Sequence, residues 1–225
     1  FFTLLRRLTG RSVWASRAQH AWDFVERVWN ADEGFFWTGS DDGAAINKAA
    51  GQLPLDVQTW SWLAARNSGY GGALDWARTN LATVDTPLRA NSALTGNLQL
   101  SGVVFASGSL NTDPTKNIGG QDWNPKPDVA AVWLEGTAQL ALALANRGAD
   151  GDEARAEALM EQLSTAQALL GKGQKFGGTV NPGGLVAATS PLDTGFGFGY
   201  FPNLHVGATS WYVMALEEVN PYRFN

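Results

Sequence analysis

The chain has no cysteine, which excludes disulfide scaffolds, cysteine zinc sites, thiol nucleophiles and iron–sulfur clusters. It has only two histidines, His20 and His205, too few for a histidine-rich metal centre. No H-E-x-x-H, P-loop or G-x-S-x-G pattern occurs, so no metal and no cofactor is expected. Positive charge is in deficit: 16 Lys and Arg against 21 Asp and Glu leave a net charge of -5. That balance implies no basic face and argues against a nucleic-acid partner. No apolar run approaches the roughly 20 residues of a membrane span. The opening FFTLLRRLTG is too short and wrongly ordered for a signal peptide. There is no initiator Met, so the start reads as the middle of a processed or longer protein.

Aromatic residues and glycine are plentiful, with 10 Trp, 11 Phe, 4 Tyr and 26 Gly in 225 residues. Two readings follow. The tryptophans can fill a helical core, where aromatics carry much of the apolar area. They can also line a groove as platforms for a ligand with flat apolar faces, such as a sugar ring.

Helical periodicity is clear in residues 11–29, where Val13, Trp14, Ala18, Ala21, Trp22, Val25 and Val28 form one stripe. Residues 71–83 and 151–170 are amphipathic in the same way. Residues 55–66, 129–146 and 205–218 are apolar on most sides, as buried helices are. The two kinds alternate, and an internal repeat accompanies them. Three segments, GFFWTGS from Gly34, GVVFASG from Gly102 and GLVAATS from Gly184, share a glycine, bulky apolar residues and small residues. The apolar helices align on Thr59, Thr137 and Thr209, which lie 25, 35 and 25 positions beyond those glycines. Outer and inner helices repeated three times predict an all-α fold, an α/α toroid of helical hairpins over 1–225. The units run roughly 11–67, 71–147 and 151–219. Loops of about 20 residues precede each inner helix, longer than packing requires, and long loops in a compact domain are usually functional.

The segments PLDVQTWSWL from Pro54, VWLEGTAQLAL from Val132 and HVGATSWYVMAL from His205, with the closing Asn220-Pro-Tyr, resemble the six-hairpin glycosidase superfamily of (α/α)6 barrels. That group includes glucoamylase-like enzymes, unsaturated glucuronyl hydrolases and polysaccharide lyases. A full barrel has six hairpins and three are visible, so a further N-terminal segment or a second chain would complete it, or the ring is smaller. The resemblance implies a substrate groove at the loop-rich end, a carbohydrate partner and an extracellular or periplasmic location.

Candidate catalytic residues are Glu135, in the first turn of the most apolar helix, and Asp56, at the equivalent start of the first inner helix. A carboxyl group in apolar surroundings is either paired or held as an acid. Glycoside hydrolysis needs two such groups, one to protonate the leaving oxygen and one to activate water or attack the sugar. The bland alternative is capping, since Asp after Pro near a helix start is a normal cap. Candidate substrate contacts are Trp37, Asp42, Asp122, Trp123, Trp133, Asp193, Phe198, Tyr200 and His205. Trp60, Trp62 and Trp211 read as core. Two other functions stay open. One is a polysaccharide lyase with His205 or Tyr200 as base. The other is a non-catalytic glycan-binding or structural-assembly protein, whose carboxylates only cap helices.

Overall fold

A computed structural model describes residues 1–41, 45–180 and 183–223. Asp42, a candidate substrate contact, lies outside the described residues. Seven α-helices are present among the described residues: α1 (Phe2–Thr9), α2 (Val13–Arg27), α3 (Leu55–Ala65), α4 (Gly72–Asn80), α5 (Leu134–Arg147), α6 (Asp152–Leu169) and α7 (Val206–Leu216). The expected all-α toroid does not form. Between the helices the described residues make five two-stranded antiparallel sheets, so the fold is mixed α/β. The pairs are β1 (Trp29–Asn30) with β2 (Phe35–Phe36), β3 (Gly39–Asp41) with β4 (Ala45–Asn47), and β5 (Ala82–Asp85) with β6 (Leu100–Val103). Then come β7 (Lys175–Phe176) with β8 (Thr179–Val180) and β9 (Leu192–Asp193) with β10 (Gly199–Tyr200).

The reason for the difference is local. Stretches rich in glycine have no 3.6-residue period and read as loops, but their turns bring extended neighbours into register. Tyr200 pairs with Leu192 and Gly199 with Asp193. The turn between them uses left-handed backbone at Gly195 and Gly197, with φ of 79° and 82°, which costs glycine little. The window 71–83 likewise divides. The helix stops at Asn80, and Ala82 begins β5, whose residues pair with Val103 to Leu100 of β6.

The core is built around α5, which packs on α3, α6 and α7. Its residues Leu134 and Gly136 to Leu144 are buried on every side, as a nearly all-apolar sequence demands. Gly136 permits the close approach of α3, because a Cβ there would meet the side chains of Trp133 and Leu55, the latter at 2.5 Å. At the far end of α5, Arg147 clamps three helices. It donates to both oxygens of buried Asp152 at 2.7 and 2.9 Å, to Asp75 at 2.9 and 3.0 Å and to the Gly71 carbonyl at 2.7 Å.

The repeated threonines perform repeated work. Thr137 Oγ1 donates to the Trp133 carbonyl at 2.9 Å and accepts the Val103 N–H at 3.3 Å. Thr209 Oγ1 donates to the His205 carbonyl at 2.9 Å and accepts the Leu185 N–H at 3.0 Å. The backbone closes both loops, since Trp133 N–H donates to the Val103 carbonyl and His205 N–H to that of Leu185. Thr59 Oγ1 stands 3.3 Å from the Leu55 carbonyl at the same helical offset, but its one proton goes to Gln139 Oε1 at 3.1 Å. In the first unit, however, buried Gln58 holds the extended segment instead, accepting from Phe36 N–H and donating to the Phe36 carbonyl. Successive units are also stitched together, through Leu55 N–H to the Phe105 carbonyl and Leu134 N–H to the Ala187 carbonyl. These bonds fix the starts of α3, α5 and α7, where the candidate site residues stand.

Candidate functional site

Asp56 occupies the first turn of α3, directly after Pro54 sets an extended entry. Its Oδ1 accepts the Val57 N–H at 2.8 Å, and a helix start favours the charged form. Burial acts in the opposite sense and prevails, raising the carboxyl above its ordinary value.

Glu135 occupies the first turn of α5. Burial, and then the nearby charge of Asp56, push its carboxyl up; the Gln139 amide pulls it down. Gln139 Nε2 donates to Glu135 Oε1 at 3.4 Å. Gln139 in turn takes a hydrogen bond on Oε1 from Thr59 at 3.1 Å. A buried relay therefore runs from α3 through α5 to the carboxyl group. The other oxygen, Oε2, faces the start of α7, where a Cβ on Gly207 would come within 3.0 Å of Glu135 Cδ. Glycine at 207 makes the room in which this carboxyl sits.

His205 completes that corner. Its Nδ1 accepts the Ala208 N–H at 3.1 Å, capping α7, and stands 3.5 Å from Glu135 Oε2. A nitrogen that accepts from a backbone amide carries no proton there, so the two groups are not an ion pair through Nδ1. Burial also holds the imidazole below its ordinary value, which keeps it neutral near pH 7.

Aromatic rings flank the two carboxyl groups. Tyr200 stacks on Trp133 at 5.7 Å and meets Phe198 at 5.9 Å and His205 at 5.6 Å. Burial, then Glu135, then Asp56 raise the Tyr200 phenol, so it stays protonated. Trp60, one turn beyond Asp56 on α3, stacks on Trp211 of α7 at 6.2 Å with an interplanar angle of 12°. Tyr222 leans against both at 6.4 and 6.5 Å. Burial, and then the Asp56 charge, raise the Tyr222 phenol. Its position depends on buried Asn220, which donates to the Leu63 carbonyl at 2.9 Å and accepts the Tyr222 N–H at 3.0 Å.

The structure thus brings together Glu135, Asp56, Tyr200, His205 and, through Tyr200, Phe198, which is exposed. Trp133 is buried and backs Tyr200, so it offers no open face. Asp193 is a turn residue whose Oδ1 accepts the Gly195 N–H at 2.9 Å. Asp122 and Trp123 stand exposed on the segment between β6 and α5. Trp37 meets Phe35 edge-on at 4.7 Å and lines a shallow cleft with Arg27, Asp32, Glu33 and Lys48. Trp60, read from the sequence as core, is 36% exposed. Gln139, Gly207 and Tyr222 escaped the sequence reading. Only Gln139 carried a signal, since it stands four residues beyond Glu135 on one helix face.

A roomier cleft, of about 770 Å³, lies elsewhere, between α4, α6 and the β5–β6 hairpin. It holds none of these carboxyl groups, and the chemistry follows the side chains rather than the volume. No protein-family model, curated protein or solved structure matches the chain.

Proposed function

We propose that the chain is a carbohydrate-active enzyme, a glycoside hydrolase that cleaves a polysaccharide or oligosaccharide with Glu135 and Asp56. The observation that carries this reading is the pairing of two partly buried, mutually repelling carboxyl groups beside aromatic rings. A carboxyl group beside another carboxylate holds its proton more tightly than one alone. Asp56 has a backbone N–H to stabilise its charge, while Glu135 has one long amide contact and a neutral imidazole beside it. On this reading Glu135 is the acid and Asp56 the ionised partner.

The roles follow. Glu135 donates its proton to the glycosidic oxygen as the bond to the leaving sugar breaks. Asp56, ionised, takes a proton from the attacking water or attacks the sugar itself. The ring faces of Trp60, Phe198 and Tyr200 offer apolar platforms for the C–H faces of sugar rings. The resemblance to six-hairpin glycosidases in the segments around Asp56, Glu135 and His205 supports the same chemistry.

The test is turnover on a panel of soluble polysaccharides. New reducing ends and the absorbance of unsaturated products are followed together, with Glu135→Gln in parallel. Reducing ends without absorbance, lost in the variant, are the expected result. Absorbance appearing with the reducing ends would replace this reading with a lyase based on His205 or Tyr200. Binding without turnover, equal in the variant, would replace it with a glycan-binding protein.

A further inference from the structure

The cleft between α4, α6 and the β5–β6 hairpin differs in kind from the carboxylate site. Its floor is aliphatic, with Leu140 and Leu144 of α5, Val103 of β6 and Leu159 of α6. Among the described residues no aromatic ring lines it. Its rim carries three arginines, Arg78 of α4, Arg89 of the segment after β5, and Arg155 of α6. Among the described residues no carboxylate lines it. Arg155 is held in place by the Asp150 carbonyl at 2.8 Å and by Asp152 at 3.4 Å. Arg78 lies 3.7 Å from Asp75, and its buried Nε has no hydrogen-bond acceptor.

We infer that this cleft binds a single-chain anionic amphiphile, with the alkyl tail on the leucine floor and the carboxylate at the arginine rim. Methylene groups suit a floor with leucine and valine but no ring to stack on. Guanidinium groups suit a carboxylate, which they bind in a fork of parallel hydrogen bonds. The volume of about 770 Å³ falls within the range of about 300–1,000 Å³ typical of small-molecule sites. On α6, Arg155, Ala158 and Leu159 follow the i, i+3, i+4 spacing of one helix face, so one surface presents the charge, a small step and the apolar wall in sequence. This inference is independent of the carbohydrate reading.

The test is calorimetric titration of the full chain with dodecanoate below its micelle concentration, alongside dodecanol. Saturable binding of one dodecanoate is expected, at least tenfold tighter than dodecanol. Arg89→Ala, a change on an exposed loop residue, should weaken binding at least tenfold. Ala158→Trp, on the exposed side of α6, should fill the cleft and remove binding, with circular dichroism verifying the helix. Glu135→Gln should bind like the parent. Absence of saturable binding, equal affinity for dodecanol, or an Arg89→Ala variant that binds like the parent would each overturn the proposal. If Ala158→Trp does not fold, the Arg89→Ala comparison decides.

Discussion

His205 Nδ1 accepts the Ala208 N–H at 3.1 Å while standing 3.5 Å from Glu135 Oε2. One ring nitrogen thus caps α7 and borders the candidate acid. Substitution separates the two functions. His205→Asn keeps a side-chain oxygen at a position where Asn is a preferred cap, and its stability should stay within about 0.5 kcal/mol of the parent. His205→Ala should lose about 1 kcal/mol through the missing cap. Both should alter the pH dependence of turnover equally, because both remove the imidazole from Glu135. Urea unfolding and a pH–rate profile check the two halves.

The carboxyl pair makes a second prediction. Both groups are raised, Glu135 partly by the charge of Asp56. The proposed hydrolysis needs Asp56 ionised and Glu135 protonated, so both limbs of its pH–rate bell should lie above ordinary carboxylate values. Glu135→Gln should reduce kcat about 10²- to 10⁴-fold without unfolding the chain. Asp56→Asn removes the repelling charge, and the Glu135 titration, followed by carboxyl-resonance NMR, should move down.

A third prediction concerns stability against pH. Asp128 accepts the Ala130 N–H at 2.9 Å, and its buried Oδ2 has no partner. Burial, then the charge and hydrogen bonding of Asp85, push its carboxyl up to about 6, against 3.8 when unperturbed. Asp85 itself accepts from Ser92, Thr189 and Ser190 at 2.7, 2.5 and 2.6 Å. The folded chain holds this proton more tightly than the unfolded chain does. Stability is therefore lost as pH rises through 3.8 to about 6, by about 3 kcal/mol at one pKa unit per 1.36 kcal/mol. Asp128→Asn keeps the acceptor for Ala130 and can donate to Asp85. The variant should show no such loss between pH 3.8 and about 6 in thermal melts, and should be the more stable protein at pH 7.5.

The Arg147 clamp has the opposite sign. Its hydrogen bonds hold Asp152 below the ordinary carboxylate value, so their stabilisation is present above 3.8 and disappears as pH falls below it. Arg147→Met leaves buried Asp152 without its principal partner and should cost about 3 kcal/mol at pH 7. The loss should shrink in melts below pH 3.5, where protonated Asp152 no longer needs the guanidinium.

Legibility in the sequence differed by element. The stripe of Val13, Trp14, Ala18 and Ala21 marked α2 over 11–29, two residues too long at each end, and the apolar window 129–146 marked α5, which begins only at Leu134. The acids at the starts of α3 and α5 were visible because a carboxylate stands out in an apolar helix. Strands of two residues, such as Leu192–Asp193, have no period to detect, and the mixed fold was hidden for that reason. Trp60 and Trp62 look alike in sequence, yet one is 36% and the other 4% exposed. Neighbours remote in sequence make that difference. Tyr222 reaches Asp56 only because Asn220 ties the chain to α3.

That tie spans 157 positions between Leu63 and Asn220. At a synthesis rate of about 5–20 residues per second, the end of α3 emerges roughly 8 to 30 seconds before its partner does. Until then the Leu63 carbonyl has water for company, and Trp60 lacks the phenol that later leans on it. The carboxylate site is thus assembled late during translation, after the helices that carry its acids.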